Sequence, residues 1–172
     1  MGKNKLNIGD RAPIFKLDSY NAGIIDLAAL MGTKKIVLIF SRYFGCPICQ
    51  LDLNILLEDA HKIKEKNAIL LYITQSSEKV AKEYIEKYNI DFPVIYSSKD
   101  ELYNDYGLGL MNPGAVLEVR SKLKEATKLG IQHGEYEGWE KQGPGQFVID
   151  KNGNIIHERK GWLLISEILE VL

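Results

Sequence analysis

Apolar positions along the chain change period several times, and each change marks an element. Residues 34–40, Lys-Lys-Ile-Val-Leu-Ile-Phe, form a continuous β-branched apolar run. Such a run predicts a central strand covered on both faces. Beyond Cys46, Leu51, Leu53, Ile55, Leu56, Ala60 and Ile63 fall one to four apart, as an amphipathic helix places them. Residues 68–73 repeat the buried-strand pattern. Ser76-Ser77 then caps a helix over 78–88, with Val80, Ala81, Tyr84, Ile85 and Tyr88 on one face.

Weaker signals complete the order. Two short strands, over 14–17 and 24–26, flank a polar turn at 18–23. A short strand is expected over 92–96 and a short helix over 100–106, ended by Gly107. Residues 108–143 are the least legible: 115–129 has helical spacing, and the remainder, rich in Gly and polar residues, reads as loop. Residues 146–150 and 154–158 flank Lys151-Asn152-Gly153, and Asn-Gly between two apolar runs signals a hairpin. An amphipathic helix over 163–172 closes the chain. Early parallel units and a late antiparallel hairpin predict an α/β fold, a central mixed sheet flanked by helices on both faces, with an N-terminal β-hairpin extension.

Composition narrows the function classes. The 172 residues suit a single domain over 1–172. Hydrophobic residues make up 45% and charged residues 26%, and the formal net charge is -1. That balance gives no ground for nucleic acid or an anionic membrane as partner. No apolar run follows Met1-Gly2-Lys3-Asn4-Lys5, so no signal peptide and a cytoplasmic location are expected.

In a reducing compartment a close cysteine pair points to catalysis or metal rather than a permanent staple. The only cysteines are in Cys46-Pro47-Ile48-Cys49, at the start of the predicted helix. Pro47 suits the first helical position, where its missing N–H costs nothing. The helix N-terminus favours a thiolate, and cysteines placed there have pKa values of ~3.5–7.5. The more N-terminal sulfur is expected to be the more exposed and activated, so Cys46 is the candidate nucleophile and Cys49 the resolving thiol. Arg42 adds positive charge nearby. Zinc would need two more ligands, and His61, His133 and His157 are scattered. An inert buried pair is the other bland alternative. Trp139 and Trp162 read as packing residues, Arg120 as a solvated helix residue and His133 as an exposed loop residue.

Three segments together resemble the peroxiredoxin-like branch (alkyl hydroperoxide reductase and thiol-specific antioxidant type) of the thioredoxin-like superfamily. Gly9-Asp10-Arg11-Ala12-Pro13-Ile14-Phe15-Lys16-Leu17 is similar to its G-x-x-A-P-x-F-x-L opening. Arg42 through Leu53 is similar to its arginine-then-C-P-x-C-x-x-E/D-L segment, and Pro144 through Gly153 to its P-x-x-F-x-I-D-x-x-G. The resemblance implies a thioredoxin-like fold and an antioxidant oxidoreductase needing no cofactor. It would reduce hydrogen peroxide or organic hydroperoxides through a Cys46 sulfenate and a Cys46–Cys49 disulfide, with a thioredoxin-like dithiol as reductant. Cys46, Cys49 and Arg42 are then catalytic, and Tyr43, Pro47 and Pro144 face substrate. The resemblance would set Pro144 at a cis-proline position opposite the dithiol; an ordinary trans proline before an edge strand is the alternative. The family's P-x-x-x-T-x-x-C is absent: Ile39 and Tyr43 occupy the Pro and Thr positions. Its hydroxyl would have to come from Tyr43 or Ser41. Thiol–disulfide exchange and a redox-switched binding module are the competing functions, and a homodimer is left open.

Overall fold

The computed structural model describes residues 5–172, so most of the polar start at residues 1–5 lies outside the described residues. Five strands form the central sheet: β3 (Lys35–Phe40), β4 (Ala68–Thr74), β5 (Val94–Tyr96), β6 (Gly145–Ile149) and β7 (Ile155–Arg159). Their order is β5-β4-β3-β6-β7. β3 pairs parallel to β4 and antiparallel to β6, which explains why its apolar run is unbroken: it has neighbours on both edges and cover on both faces. β1 (Lys16–Asp18) and β2 (Ile24–Asp26) form a separate antiparallel hairpin.

Side chains alternate between two cores. Val37, Ile39, Leu70, Tyr72 and Val148 face α2 (Pro47–Glu65), α3 (Glu78–Tyr88) and α6 (Ile165–Val171). Both parallel crossovers step the same way across the sheet, so α2 and α3 share a face. Ile36, Leu38, Phe40, Leu71, Ile73, Phe147 and Ile149 face the other way. There they meet residues of α1 (Leu27–Leu30), the single turn α4 (Leu102–Asp105) and the N-terminal hairpin. The turn of that hairpin also grips edge strand β5: the Tyr20 N–H donates to the Val94 carbonyl, and the Asn21 side chain bonds both Phe92 O and Val94 N, at 2.9 Å each.

Several boundaries differ from the expectation for identifiable reasons. Pro93 offers no N–H to the ladder, so β5 begins at Val94. The helix expected over 115–129 is α5 (Pro113–Lys128), because Asn112 caps it by accepting from Ala115 N at 2.8 Å and Pro113 takes its first position. The turn α1 had no periodic signal; the Asp26 carboxylate caps it by accepting from Ala29 N.

Candidate active site

The segment after β3 is fixed before the chemistry begins. Ser41 N donates to Ile73 O at 2.9 Å, and the Arg42 carbonyl accepts from both Gln75 N and Thr74 Oγ1. These bonds tie the approach to α2 onto the end of β4. Cys46 is the N-cap of α2, with extended backbone (φ -67°, ψ 125°), and its carbonyl accepts the first helical bond from Gln50 N. Pro47 occupies the first helical position, where it leaves no bond unmade. Cys49 follows within the first turn.

Both thiols are free and both are buried, Cys46 at 4% and Cys49 at 3% exposure. Their pKa values separate. The Cys49 thiol, and after it the Arg42 guanidinium and the helix-start N–H groups of Cys49 and Ile48, outweigh burial and bring the Cys46 thiol down to about 6. Burial and its hydrogen bond to Cys46 push the Cys49 thiol up. One sulfur is thus poised as nucleophile while the other keeps its proton. Arg42 Nη1 lies 3.7 Å from Cys46 Sγ, and its Nη2 donates to the Glu140 carbonyl at 2.6 Å and faces the Glu140 carboxylate at 3.4 Å. The Arg42 side chain is buried, and its Nε has no partner.

The segment expected to be loop is loop, and it forms a strap across the dithiol. Residues 131–143 run over the N-terminus of α2, held by Gly134 N to Gly45 O at 2.8 Å and by Gln50 Nε2 to Gln132 O at 3.0 Å. Gly45 is required there: a Cβ would stand 2.3 Å from the Glu135 carbonyl oxygen. Gln75 Nε2 donates to Gln142 Oε1, and Gln142 Nε2 donates to carbonyls of Leu108, Gly109 and Gly143, securing the base of the strap. Tyr43 lies beneath it, 1% exposed, with its hydroxyl 3.2 Å from His133 Nε2. Burial, and then the neighbouring Glu140 carboxylate, push the Tyr43 pKa up and keep its hydroxyl protonated.

Behind Cys49 lies a cavity of ≈ 20 Å³, lined in part by Ser41, Asp52, Pro144 and Trp162. Asp52 accepts from Lys122 Nζ at 2.8 Å and from Leu163 N at 3.0 Å. Burial raises its pKa against the pull of Lys122. Trp162 packs with both cysteines and donates from Nε1 to Ala115 O, drawing α5 onto the dithiol.

The structure therefore brings Arg42, Tyr43, Cys46, Pro47 and Cys49 together, while Pro144 reaches only the cavity behind Cys49. One expectation is corrected: the Gly143–Pro144 peptide is trans, as no cis peptide bond occurs among the described residues. Cys46 is only marginally the more exposed thiol, because the strap and α5 enclose both. Ser41 lines the rear cavity and gives its carbonyl to the Tyr103 hydroxyl. His133, Glu140, Asp52 and Trp162 were not singled out as site residues; only Asp52, as the acidic position of the C-P-x-C segment, carried a sequence signal.

Comparison with known proteins bears on the family and the fold. A family model described as AhpC/TSA family matches residues 8–158. The thiol-disulfide oxidoreductase ResA of Bacillus thuringiensis is 25% identical over 126 residues, spanning 72% of this chain and 70% of that protein. Among solved structures, the peroxidoxin BcpB from Mycobacterium tuberculosis superposes with a TM-score of 0.71 at 15% identity, covering 96% of this chain and 95% of that one. A putative thiol:disulfide interchange protein DsbE from Chlorobium tepidum gives 0.66 at 20% identity, covering 97% and 95%.

Proposed function

This chain belongs to the AhpC/TSA family, and from that premise we propose that it reduces hydrogen peroxide or organic hydroperoxides with its own dithiol. Membership and the paired thiols make it a thiol oxidoreductase; the choice of oxidant is the proposal. The observation that carries it is the enclosed Cys46 sulfur, depressed in pKa and 3.7 Å from a buried guanidinium with an unpartnered Nε. In the reduced protein the strap closes the site, which suits a small oxidant as the first reactant, and the guanidinium suits a peroxide oxygen.

The chemistry runs in three balanced steps. The Cys46 thiolate attacks one peroxide oxygen, the O–O bond breaks, and with one proton the products are the Cys46 sulfenic acid and an alcohol or water. The Cys49 thiol condenses with that sulfenic acid, releasing water and forming the Cys46–Cys49 disulfide. An external thioredoxin-like dithiol then reduces the disulfide by exchange and leaves oxidised. A reducing compartment such as the cytoplasm supplies such a dithiol.

The test is hydroperoxide consumption by purified protein with a dithiol-regenerating system. Turnover abolished by Cys46→Ser supports the proposal; no consumption above that variant overturns it. A second reading, disulfide exchange with thiol partners, is favoured by the C-x-x-C spacing and the ResA relative. Under that reading Cys49→Ser traps a mixed disulfide at Cys46 in cells, and recovery of none counts against it.

A further inference from the structure

Two protonable side chains, Tyr43 and His133, meet at the strap, and the chemistry above leaves them without a task. Tyr43 packs in the same apolar cluster as both cysteines. Its Oη lies 3.2 Å from Nε2 of His133, an exposed residue of the strap. The other ring nitrogen, Nδ1, lies 2.7 Å from the Gly134 carbonyl oxygen. A carbonyl only accepts, so Nδ1 carries the hydrogen; in the neutral ring Nε2 then accepts, and the Tyr43 hydroxyl donates to it. Tyr136 stacks on the imidazole, with ring centroids 3.8 Å apart and planes 20° off parallel, which holds the ring. A hydrogen-bonded path thus runs from solvent, through His133, to the hydroxyl of a buried residue that packs in the cluster of the reactive cysteine.

We propose that Tyr43 and His133 form a proton relay to the leaving oxygen of the hydroperoxide. The relay rests on the peroxidase reading above. As the Cys46 S–O bond forms, the electron pair of the broken O–O bond stays on the departing alkoxide or hydroxide. Sulfur is oxidised by two electrons and the peroxide is reduced. Tyr43 gives its hydroxyl proton to that oxygen, and the protonated His133 ring replaces it from Nε2; solvent reprotonates His133. Protonation makes both ring nitrogens donors, which turns the Tyr43 O–H away from His133 and into the site. The other groups facing the pair are Glu140, Arg42, Cys46 and Tyr136. Glu140 is half-exposed but is engaged by Arg42, and His133 is the exposed member that meets the Tyr43 hydroxyl directly. Disulfide exchange expels a thiolate, a far weaker base than an alkoxide, and has much less need of such a relay.

The experiment compares two oxidants on pre-reduced protein by stopped-flow: an alkyl hydroperoxide, which expels a strongly basic alkoxide, and a peroxycarboxylic acid, which expels a weakly basic carboxylate. Tyr43→Phe and His133→Gln are expected to lose about 100-fold on the alkyl hydroperoxide, the scale of general-acid catalysis, and at least about tenfold less on the peroxyacid. Gln can still hydrogen-bond Tyr43 but has no proton to relay, so it separates relay from placement. Equal losses on both oxidants, or unaltered rates in His133→Gln, overturn the relay while leaving the peroxidase intact. Failure of the unaltered protein on the alkyl hydroperoxide and on hydrogen peroxide alike overturns the peroxidase reading itself, and the relay with it.

Discussion

Replacing Cys49 by Ala probes what holds the Cys46 thiol down, because the Cys49 thiol is the largest cause of its lowered pKa. The drop from 9.0 to about 6 corresponds to about 4 kcal/mol in favour of the thiolate. At pH 7 about 90% of the sulfur is then ionised, against about 1% at the ordinary value. The rate advantage is smaller. Thiolate nucleophilicity falls with pKa at a Brønsted slope of about 0.4–0.5, which returns about twentyfold and leaves a gain of roughly fourfold. The midpoint of the pH profile, not the rate at one pH, is therefore the decisive quantity. Iodoacetamide alkylation of reduced protein, followed from pH 4 to 10, should show a midpoint near 6. In Cys49→Ala the midpoint should rise by about one pH unit or more, and in Arg42→Met by less, in the order of the two causes. A midpoint unmoved in Cys49→Ala would refute the thiol–thiolate interaction and leave the helix N-terminus and Arg42 as its source.

Gly45→Ala should drive the strap off the dithiol, since the new methyl meets the Glu135 carbonyl. A loss of about 1–3 kcal/mol in urea unfolding, with faster labelling of Cys46 by a bulky maleimide, is the expected pair of results. Asp52→Asn leaves the largely buried Lys122 without its charge partner and should cost about 3–5 kcal/mol by the same measurement. Burial holds the His157 pKa below 6.5, so the unfolded chain takes up a proton there before the folded one does. Stability should fall as pH drops through that value and on toward the folded pKa, and His157→Gln should flatten this part of the pH profile. Trp162 packs against both cysteines, so its fluorescence should change when the dithiol is oxidised, and the change should vanish in Trp162→Phe.

Elements whose signal is local were legible in the chain. The run at 34–40 had to be a doubly covered strand, and Pro47 after Cys46 had to open a helix, because propensity, period and capping agree there. The strap was illegible for the opposite reason. Its order comes from single contacts over long sequence separations, Gly134 to Gly45 and Gln142 to Gln75, and no period records those. The same blindness hid His133, whose role depends on meeting Tyr43 across ninety positions. It also hid how deeply Cys46 lies, since burial by a distant segment leaves no trace beside the C-P-x-C. Pro144 was placed by resemblance alone, and the geometry of a peptide bond is not written in spacing.

A three-residue strand at the rim of a sheet carries unpaired amide and carbonyl groups that another chain can use. On β5 those groups are already engaged, by Tyr20, Asn21 and the bridge from Ser19 to Ile95. The N-terminal hairpin thus acts as a selvage. It ends the weave on that side, so the sheet cannot lengthen there by borrowing a strand from a neighbour. A chain shortened by its first two dozen residues would keep its dithiol and strap, yet it would emerge from synthesis with an open border, and its first failing would be insolubility rather than loss of chemistry.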